Sequence, residues 1–375
     1  MPAASPRPPI QRIFIIAGEA SGNAYGGKLV SALRARNPEV EIRCWGGEAM
    51  EQAGATCLRH YRTLAFMGFW EVLKNAGTIR KLFRECRKEV ADFRPDVFVG
   101  IDYPGFNLRM ARKAKAMGIQ THHYISPSVW AWKKNRVHAI RRDINRLHVI
   151  LPFEKKWYEG EGLDVHWVGH PLLELLPESS KGESSDAPGK PILLLLPGSR
   201  QQELDHMLPV MVEAARSLPA FKPIIAGAPG RSMEDYREAS EAGIEIVFGQ
   251  TRALMQSASA GLITSGTATL EAALLGLPHI ICYKTSPLTF AVAKALVKTQ
   301  WIGLPNLLLE RNAVTERIQE ACRPVQLVKD VLQLHDGTKL LAAGERQKSE
   351  FAALVQQLQS NQPASALVAE SVLGS

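Results

Sequence analysis

Three turns in this 375-residue sequence combine residue types that could do chemistry. Pro197-Gly198-Ser199-Arg200 follows the apolar run Ile192–Leu196 and precedes a helical pattern from Gln201. A glycine that admits close backbone approach, the free N–H groups of a helix start and a forked guanidinium suit a phosphate or pyrophosphate. A plain connection with a surface arginine fits the spacing equally well. Thr264-Ser265-Gly266-Thr267-Ala268-Thr269-Leu270-Glu271 repeats the arrangement after another apolar run. Its small hydroxyl residues can donate to phosphate. Thr267 and Glu271 stand four apart and share a helix face, so the carboxylate can accept both hydroxyls of a ribose. The plainer reading is an N-cap followed by a solvated glutamate. Two such turns in one half of the chain favour a nucleoside diphosphate site.

The third turn is in the N-terminal half. Asp102-Tyr103-Pro104-Gly105-Phe106-Asn107 follows the run Asp96–Ile101, and a carboxylate at the carboxyl end of a strand is well placed as a general base. The alternative is an Asp capping a helix that starts near Pro104. Gly18-Glu19-Ala20-Ser21-Gly22-Asn23 closes the first strand but is not G-x-G-x-x-G. Glu19 there would repel a phosphate and suits a ligand bearing hydroxyls. His122 and His123 point to opposite faces of one strand and read as packing residues. Six Lys/Arg (133, 134, 136, 141, 142, 146) follow Trp130 and Trp132 with one Asp among them. Aromatic anchors beside cations suit an anionic membrane, a nucleic-acid patch or a solvated helix face. Leu64–Trp70 (LAFMGFW), with Met67 and Phe69, is unusually apolar for a connection. It is either buried or meets an acyl chain.

These turns need elements to hold them. Short apolar runs alternate with amphipathic helical stretches, the pattern of parallel α/β units. Strands are expected at Ile13–Ala17, Glu41–Trp45, Asp96–Ile101, Thr121–Ile125, Leu147–Leu151 and Val165–Val168. A second series is expected at Ile192–Leu196, Ile224–Ala226, Ile244–Phe248, Ala260–Ile263 and His279–Tyr283, with an almost entirely helical pattern beyond residue 284. Glu71–Phe93 has helical spacing. The expected organisation is a disordered Pro-rich leader at 1–11, a domain at 12–177, a solvated linker at 178–190, a second domain at 191–330 and a helical tail at 331–375. Both domains are expected to be doubly wound. In such sheets ligands bind beyond the carboxyl ends of strands, and a cleft between two of them is the natural active site.

Forty-five Lys+Arg against 37 Asp+Glu leave a net charge of +8, which favours an anionic partner. Five cysteines without C-x-x-C spacing argue against a disulfide framework or zinc cluster and fit a reducing cytoplasm. No apolar stretch is long enough to span a bilayer, and the leader lacks the apolar core of a signal peptide. Secreted, collagenous, membrane-spanning and wholly disordered proteins are not expected.

Several segments together carry a resemblance. GEASGN (18–23), LAFMGFWEVL (64–73), GIDYPGFN (100–107), HYISPSVWAWKKNRV (123–137), LPFEKKWY (151–158), VGHP (168–171), LPGSR (196–200), SGTATLE (265–271) and LVKTQWIGLPNLL (296–308) run in the order found in lipid-A-disaccharide synthases. The chain resembles that family of inverting glycosyltransferases over about residues 12–330. The resemblance implies two Rossmann-like domains facing a central cleft, the GT-B architecture. It also implies a helical tail that crosses back or is exchanged in a homodimer. The implied reaction joins UDP-2,3-diacylglucosamine to 2,3-diacylglucosamine 1-phosphate through a β-1,6 linkage and releases UDP, without metal or cofactor. The implied place is the anionic cytoplasmic face of the inner membrane of a Gram-negative-type bacterium, with no nucleic-acid partner.

By the same resemblance Arg200, Ser199, Ser265, Gly266 and Thr267 hold the pyrophosphate and Glu271 the ribose, with Asn306 and Gln319 in the donor region. Asp102 takes the proton of the acceptor hydroxyl, and Glu19 is the second catalytic candidate. Ser21 and Asn107 fall on the acceptor side. Met67, Phe69, Trp130, Trp132, Lys133, Lys134 and Arg136 meet acceptor or membrane. Two positions depart from the family pattern: Asn23 replaces the Asp of GEASGD, and Gly105 the second Asp of D-x-P-D-F-N. Of a late PELLQ-like segment, Val314–Gln319 keeps only Glu316 and Gln319. An altered-acceptor or non-catalytic paralogue is therefore the alternative. Another enzyme using UDP-N-acetylglucosamine is a further one, against which SPSVWAW counts.

Overall fold

The computed structural model describes residues 10–64, 76–130, 134–176, 189–287, 290 and 299–374. Met67, Phe69, Trp132 and Lys133, most of the leader and most of the expected linker lie outside them. The chain forms two compact units, one running to Leu175 and resuming at Leu358, the other Leu176–Gln357.

In the first unit β1 (Arg12–Ala17), β2 (Glu41–Gly46), β3 (Thr56–His60), β4 (Val97–Ile101), β5 (Gln120–Tyr124), β6 (Arg146–Val149) and β7 (His166–Trp167) form one sheet. Its order is β3-β2-β1-β4-β5-β6-β7 and all its pairings are parallel. Helices α1 (Ala20–Arg36), α2 (Glu48–Gln52), α3 (Ala76–Phe93), α4 (Pro104–Ala116), α5 (Arg136–Asp143) and α6 (Pro152–Gly160) connect the strands. Strands β1 and β4 are buried on both faces, as the middle of a parallel sheet must be, which is why they read as unbroken apolar runs.

In the second unit β8 (Ile192–Leu196), β9 (Lys222–Gly227), β10 (Glu245–Phe248), β11 (Ala260–Thr264), β12 (His279–Tyr283) and β13 (Glu316–Ile318) form a parallel sheet in the order β10-β9-β8-β11-β12-β13. Its helices are α7 (Gln201–Arg216), α8 (Arg237–Glu241), α9 (Thr251–Ser257), α10 (Thr267–Leu274), α11 (Leu304–Leu309), α12 (Pro324–Leu334) and α13 (Ala342–Leu358). The last helix, α14 (Ala364–Leu373), packs on α1 of the first unit. It is fastened there by Glu174, whose carboxylate accepts from Ser365 N (2.8 Å) and Ser365 Oγ. Among the described residues no helix is long and apolar enough to cross a membrane.

Both sheets are doubly wound, as expected. Two strands were not expected. β3 and β13 are edge strands whose residues are mostly half-buried or exposed, so neither shows an apolar run. β13 also corrects the expectation of an almost entirely helical chain beyond residue 284. In each sheet the winding reverses once, between β1 and β4 and between β8 and β11. Those reversals open the crevices where such sheets bind ligands.

Candidate active site

The first reversal sets Ala17 of β1 beside Ile101 of β4. Adjacent strands lie about 4.8 Å apart, so the turns carrying Glu19 and Asp102 are neighbours. Asp102 and Tyr103 are successive residues in the left-handed region, with φ of 46° and 47°. Such residues cost on the order of 1–3 kcal/mol each and persist only where the surroundings fix them. Several bonds do so. Asp102 N donates to Tyr124 O (2.8 Å). The buried Asn107 amide donates to the carbonyls of Asp102 (2.7 Å), Ile101 (3.1 Å) and Ile16 (3.3 Å). Tyr103 OH donates to Leu64 O (2.8 Å), and its ring covers Gly18, where any Cβ would collide with it.

This turn leaves the Asp102 carboxyl in a low-dielectric place. Burial, and then the negative charge of Glu19, raise it from 3.8 to about 6. The N-cap of α4 is Tyr103, with no side-chain cap bond, so the helix-cap reading of Asp102 does not describe this turn. Asn107 spends its amide donors on the backbone and acts as the brace of the turn. Ser21 lies half-buried in the first turn of α1. Close by in the sheet, His123 is buried with both ring nitrogens lacking a hydrogen bond, and Asn107 Oδ1 also lacks one. Gly100 makes room for both side chains, since a Cβ there would stand 3.1 Å from Asn107 Cγ and from His123 Nδ1.

The second reversal sets Leu196 of β8 beside Ile263 of β11. Thr264 is buried and its hydroxyl has no hydrogen-bond partner. Ser265 Oγ donates to Ile302 O (3.0 Å), while Gly266 and Thr267 are exposed at the start of α10. Amides of a first helical turn have no intrahelical acceptor, so this turn offers N–H donors around an open glycine. Glu271 faces Arg252, whose Nε donates to its Oε1 at 2.6 Å.

The Pro197–Arg200 turn is already engaged. Glu203 Oε2 accepts from Ser199 N (2.9 Å) and Arg200 N (3.1 Å), and its Oε1 accepts from Arg200 Nη1 (2.7 Å). A carboxylate of the same helix thus stands where the sequence reading placed an anion. Arg231 braces the turn from the β9 side, donating to Ser199 O (2.9 Å) and Gln201 Oε1 (2.9 Å). Glu203, Arg231 and Arg252 were not singled out in the sequence. Glu203 had a signal, the N3 spacing of a capping box, and Arg231 sits in an Ala-Pro-Gly-Arg turn after β9. Arg252 had none.

Asn306 and Gln319, expected in the donor region, each bond to neighbouring chain. Asn306 is fully buried, donates to Val314 O (2.7 Å) and Glu316 Oε1 (2.9 Å) and accepts from Val314 N (2.8 Å). Gln319 grips the Thr285 backbone at both N (2.8 Å) and O (3.0 Å). Of the residues expected at a membrane, Trp130 is half-buried, edge-on to Phe153 at 4.9 Å. Lys134 pairs with Glu161 at 2.7 Å. The Arg136 guanidinium is lowered by burial and by the charge of Arg109.

Comparison with known proteins decides what these turns belong to. Residues 13–370 match the family described as lipid-A-disaccharide synthetase. The lipid-A-disaccharide synthase of Trichlorobacter lovleyi is 39% identical over 336 residues, covering 86% of this chain and 88% of that one. That of Neisseria gonorrhoeae is 38% identical over 346 residues, covering 88% and 89%. The chain belongs to the lipid-A-disaccharide synthetase family. It is a glycosyltransferase of lipid A biosynthesis. Among solved structures it resembles a UDP-GlcNAc 2-epimerase from Neisseria meningitidis bound to UDP-GlcNAc, with a TM-score of 0.62 at 13% identity over 97% of this chain and 100% of that one. The glycotransferase of kitacinnamycin gives 0.62 at 14% identity over 98% and 99%. These two likenesses concern the fold, two parallel α/β sheets of the GT-B type. The two positions that depart from the family pattern differ in setting. Asn23 is buried with its Oδ1 unbonded, whereas Gly105 is exposed with open space where a Cβ would stand.

Proposed function

We propose that this family member transfers 2,3-diacylglucosamine from its UDP donor to the 6-hydroxyl of 2,3-diacylglucosamine 1-phosphate, with inversion at the anomeric carbon. Asp102 takes the hydroxyl proton as that oxygen forms the bond to the anomeric carbon. The bond to the β-phosphate oxygen breaks, and UDP leaves with the electron pair. A base with a carboxyl raised to about 6 is ionised near neutral pH yet basic enough to assist the transfer. The Ser265–Thr267 turn and Arg200 stabilise the charge that grows on the diphosphate, and Glu271, held by Arg252, accepts the ribose hydroxyls. The observation that carries the reading is the half-buried Asp102 carboxyl, raised to about 6 and poised by a strained and braced turn at one winding reversal, with an anion-type turn at the other. A lipid acceptor, with the net charge of +8, supports a position at an anionic membrane surface.

Incubation with radiolabelled donor and the diacylated acceptor tests the proposal. The expected products are UDP and a disaccharide in equal amounts. Epimerised UDP-sugar without disaccharide would favour the other UDP-sugar enzymes, and UDP binding without any turnover would favour a non-catalytic paralogue.

A further inference from the structure

Helices α3 and α4 enclose a concavity of about 600 Å³ that the reading above does not use. Arg84 and Arg87 line it from α3, and Arg109, Arg112 and Lys113 from α4, over a floor of Phe83 and Met110. The spacings i, i+3 and i, i+4 set each group of cations on one helix face, and no acid lines the space. Two of the three acids of α3 are spent elsewhere: Glu85 pairs with Arg59 (2.7 Å), and Glu89 accepts from Trp45 Nε1 (2.5 Å). Five like charges gathered in one groove repel one another until an anion neutralises them. The floor is also continuous with the Asp102 turn. Arg109 lies 5.8 Å from the Phe83 ring centre, Phe83 stacks on Phe106 at 4.2 Å, and Phe106 stacks on Tyr103 at 5.8 Å.

We infer that this groove binds the phosphate headgroups of anionic glycerophospholipids and so fixes the membrane-facing side of the first unit. Five cations exceed what one phosphate engages, so the groove suits a surface that presents several phosphate headgroups side by side. The segment around Trp130 and Lys134 was the sequence's candidate for this role. It is less suited, because its aromatic packs on Phe153 and Lys134 is already paired. The inference names a site for the membrane partner proposed above, and it stands or falls separately from the reaction, since vesicle binding needs no turnover.

Flotation of the full chain tests it, with phosphatidylcholine vesicles and with vesicles that also contain phosphatidylglycerol. The parent should float with the anionic vesicles only, and less at high salt. Arg87→Gln/Arg112→Gln/Lys113→Gln changes three exposed side chains and should lower the partition coefficient by on the order of a hundred-fold, at about five-fold per cation near an anionic surface. It should leave turnover of detergent-dispersed substrates intact. Lys155→Gln/Lys156→Gln, which removes exposed charge from α6, should lower partitioning by less per charge removed. An equal loss per charge in both variants overturns the site in favour of overall charge. Unchanged vesicle binding with a raised KM for the phosphorylated acceptor also overturns it, and assigns the groove to the acceptor phosphate.

Discussion

Replacing Asp102 by Asn should give a protein that is more stable and nearly inactive. The carboxyl is raised from 3.8 to about 6 because burial, then Glu19, disfavours its charged form. A carboxyl raised on folding binds more protons in the folded than in the unfolded state between those values. Stability therefore falls as pH rises from 3.8 to about 6, and the full cost is present above that window. At about 1.4 kcal/mol per pH unit, the gap sets an upper bound of about 3 kcal/mol at neutral pH. Asn is nearly isosteric, carries no charge and tolerates the left-handed backbone that this position requires. The unfolding temperature of the first unit should then rise, by at most roughly 6–12 °C. Turnover should fall by about 10²–10⁴-fold, the usual contribution of a general base. Thermal melts on both sides of the window and steady-state UDP release measure the two effects. A variant less stable than its parent at neutral pH refutes the burial argument; one that keeps its turnover refutes the base.

Glu19→Gln removes the second cause of that shift, so the acid limb of kcat/KM should move from about pH 6 toward lower pH without reaching 3.8, because burial remains; a pH–rate profile with an unmoved limb would mean that Glu19 exerts no such field. Arg200→Ala should weaken UDP binding and slow turnover, whereas Glu271→Ala should chiefly raise the donor KM, since ribose contacts are alike in ground and transition states. Calorimetry with UDP that gives the parental affinity for both would remove the donor-site assignment. Buried His122, His123, His170 and His279 are lowered by burial from 6.5 to about 3, 4, 4 and 4. Their contribution is full above pH 6.5 and is lost as pH falls from there, because the unfolded chain takes up protons that the fold excludes. Melting temperatures should drop between about pH 6.5 and pH 5; a flat profile would show compensation by groups such as Asp102. Gly105→Asp places a carboxylate in open space in the first turn of α4, where the helix dipole favours it. It should stabilise by about 0.3–1 kcal/mol, and a rise in kcat/KM beyond the parent's would show that this position also contacts the acceptor.

The fold was legible where burial is two-sided. Ile13–Ala17, Ile192–Leu196 and Ala260–Ile263 must be apolar throughout because helices cover both faces of each sheet, and all three are strands within a residue at either end. Thr56–His60 and Glu316–Ile318 escaped because an edge strand has solvent on one side and no composition of its own. The turns of the candidate site were legible as types but not as geometries. Nothing in the one-letter string shows that Asp102 and Tyr103 share a left-handed backbone, a conformation held by Asn107 in the helix that follows and by Tyr124 and Leu64 from distant parts of the chain. Nor could spacing show that Asn306 is bonded to Val314 and Glu316 and Gln319 to the Thr285 backbone, or that Arg200 already has a carboxylate partner.

The return of α14 to α1 has a consequence for how the protein is made. A ribosome releases α1 well before α14, with the whole second unit synthesised in between. The side of α1 that ends against α14 must wait until residues 364–373 are made, so the second unit can complete itself before the first does. A chain cut before residue 364 would leave that side of α1 uncovered. Such a chain is a substrate for chaperones and proteases rather than a slightly shorter enzyme.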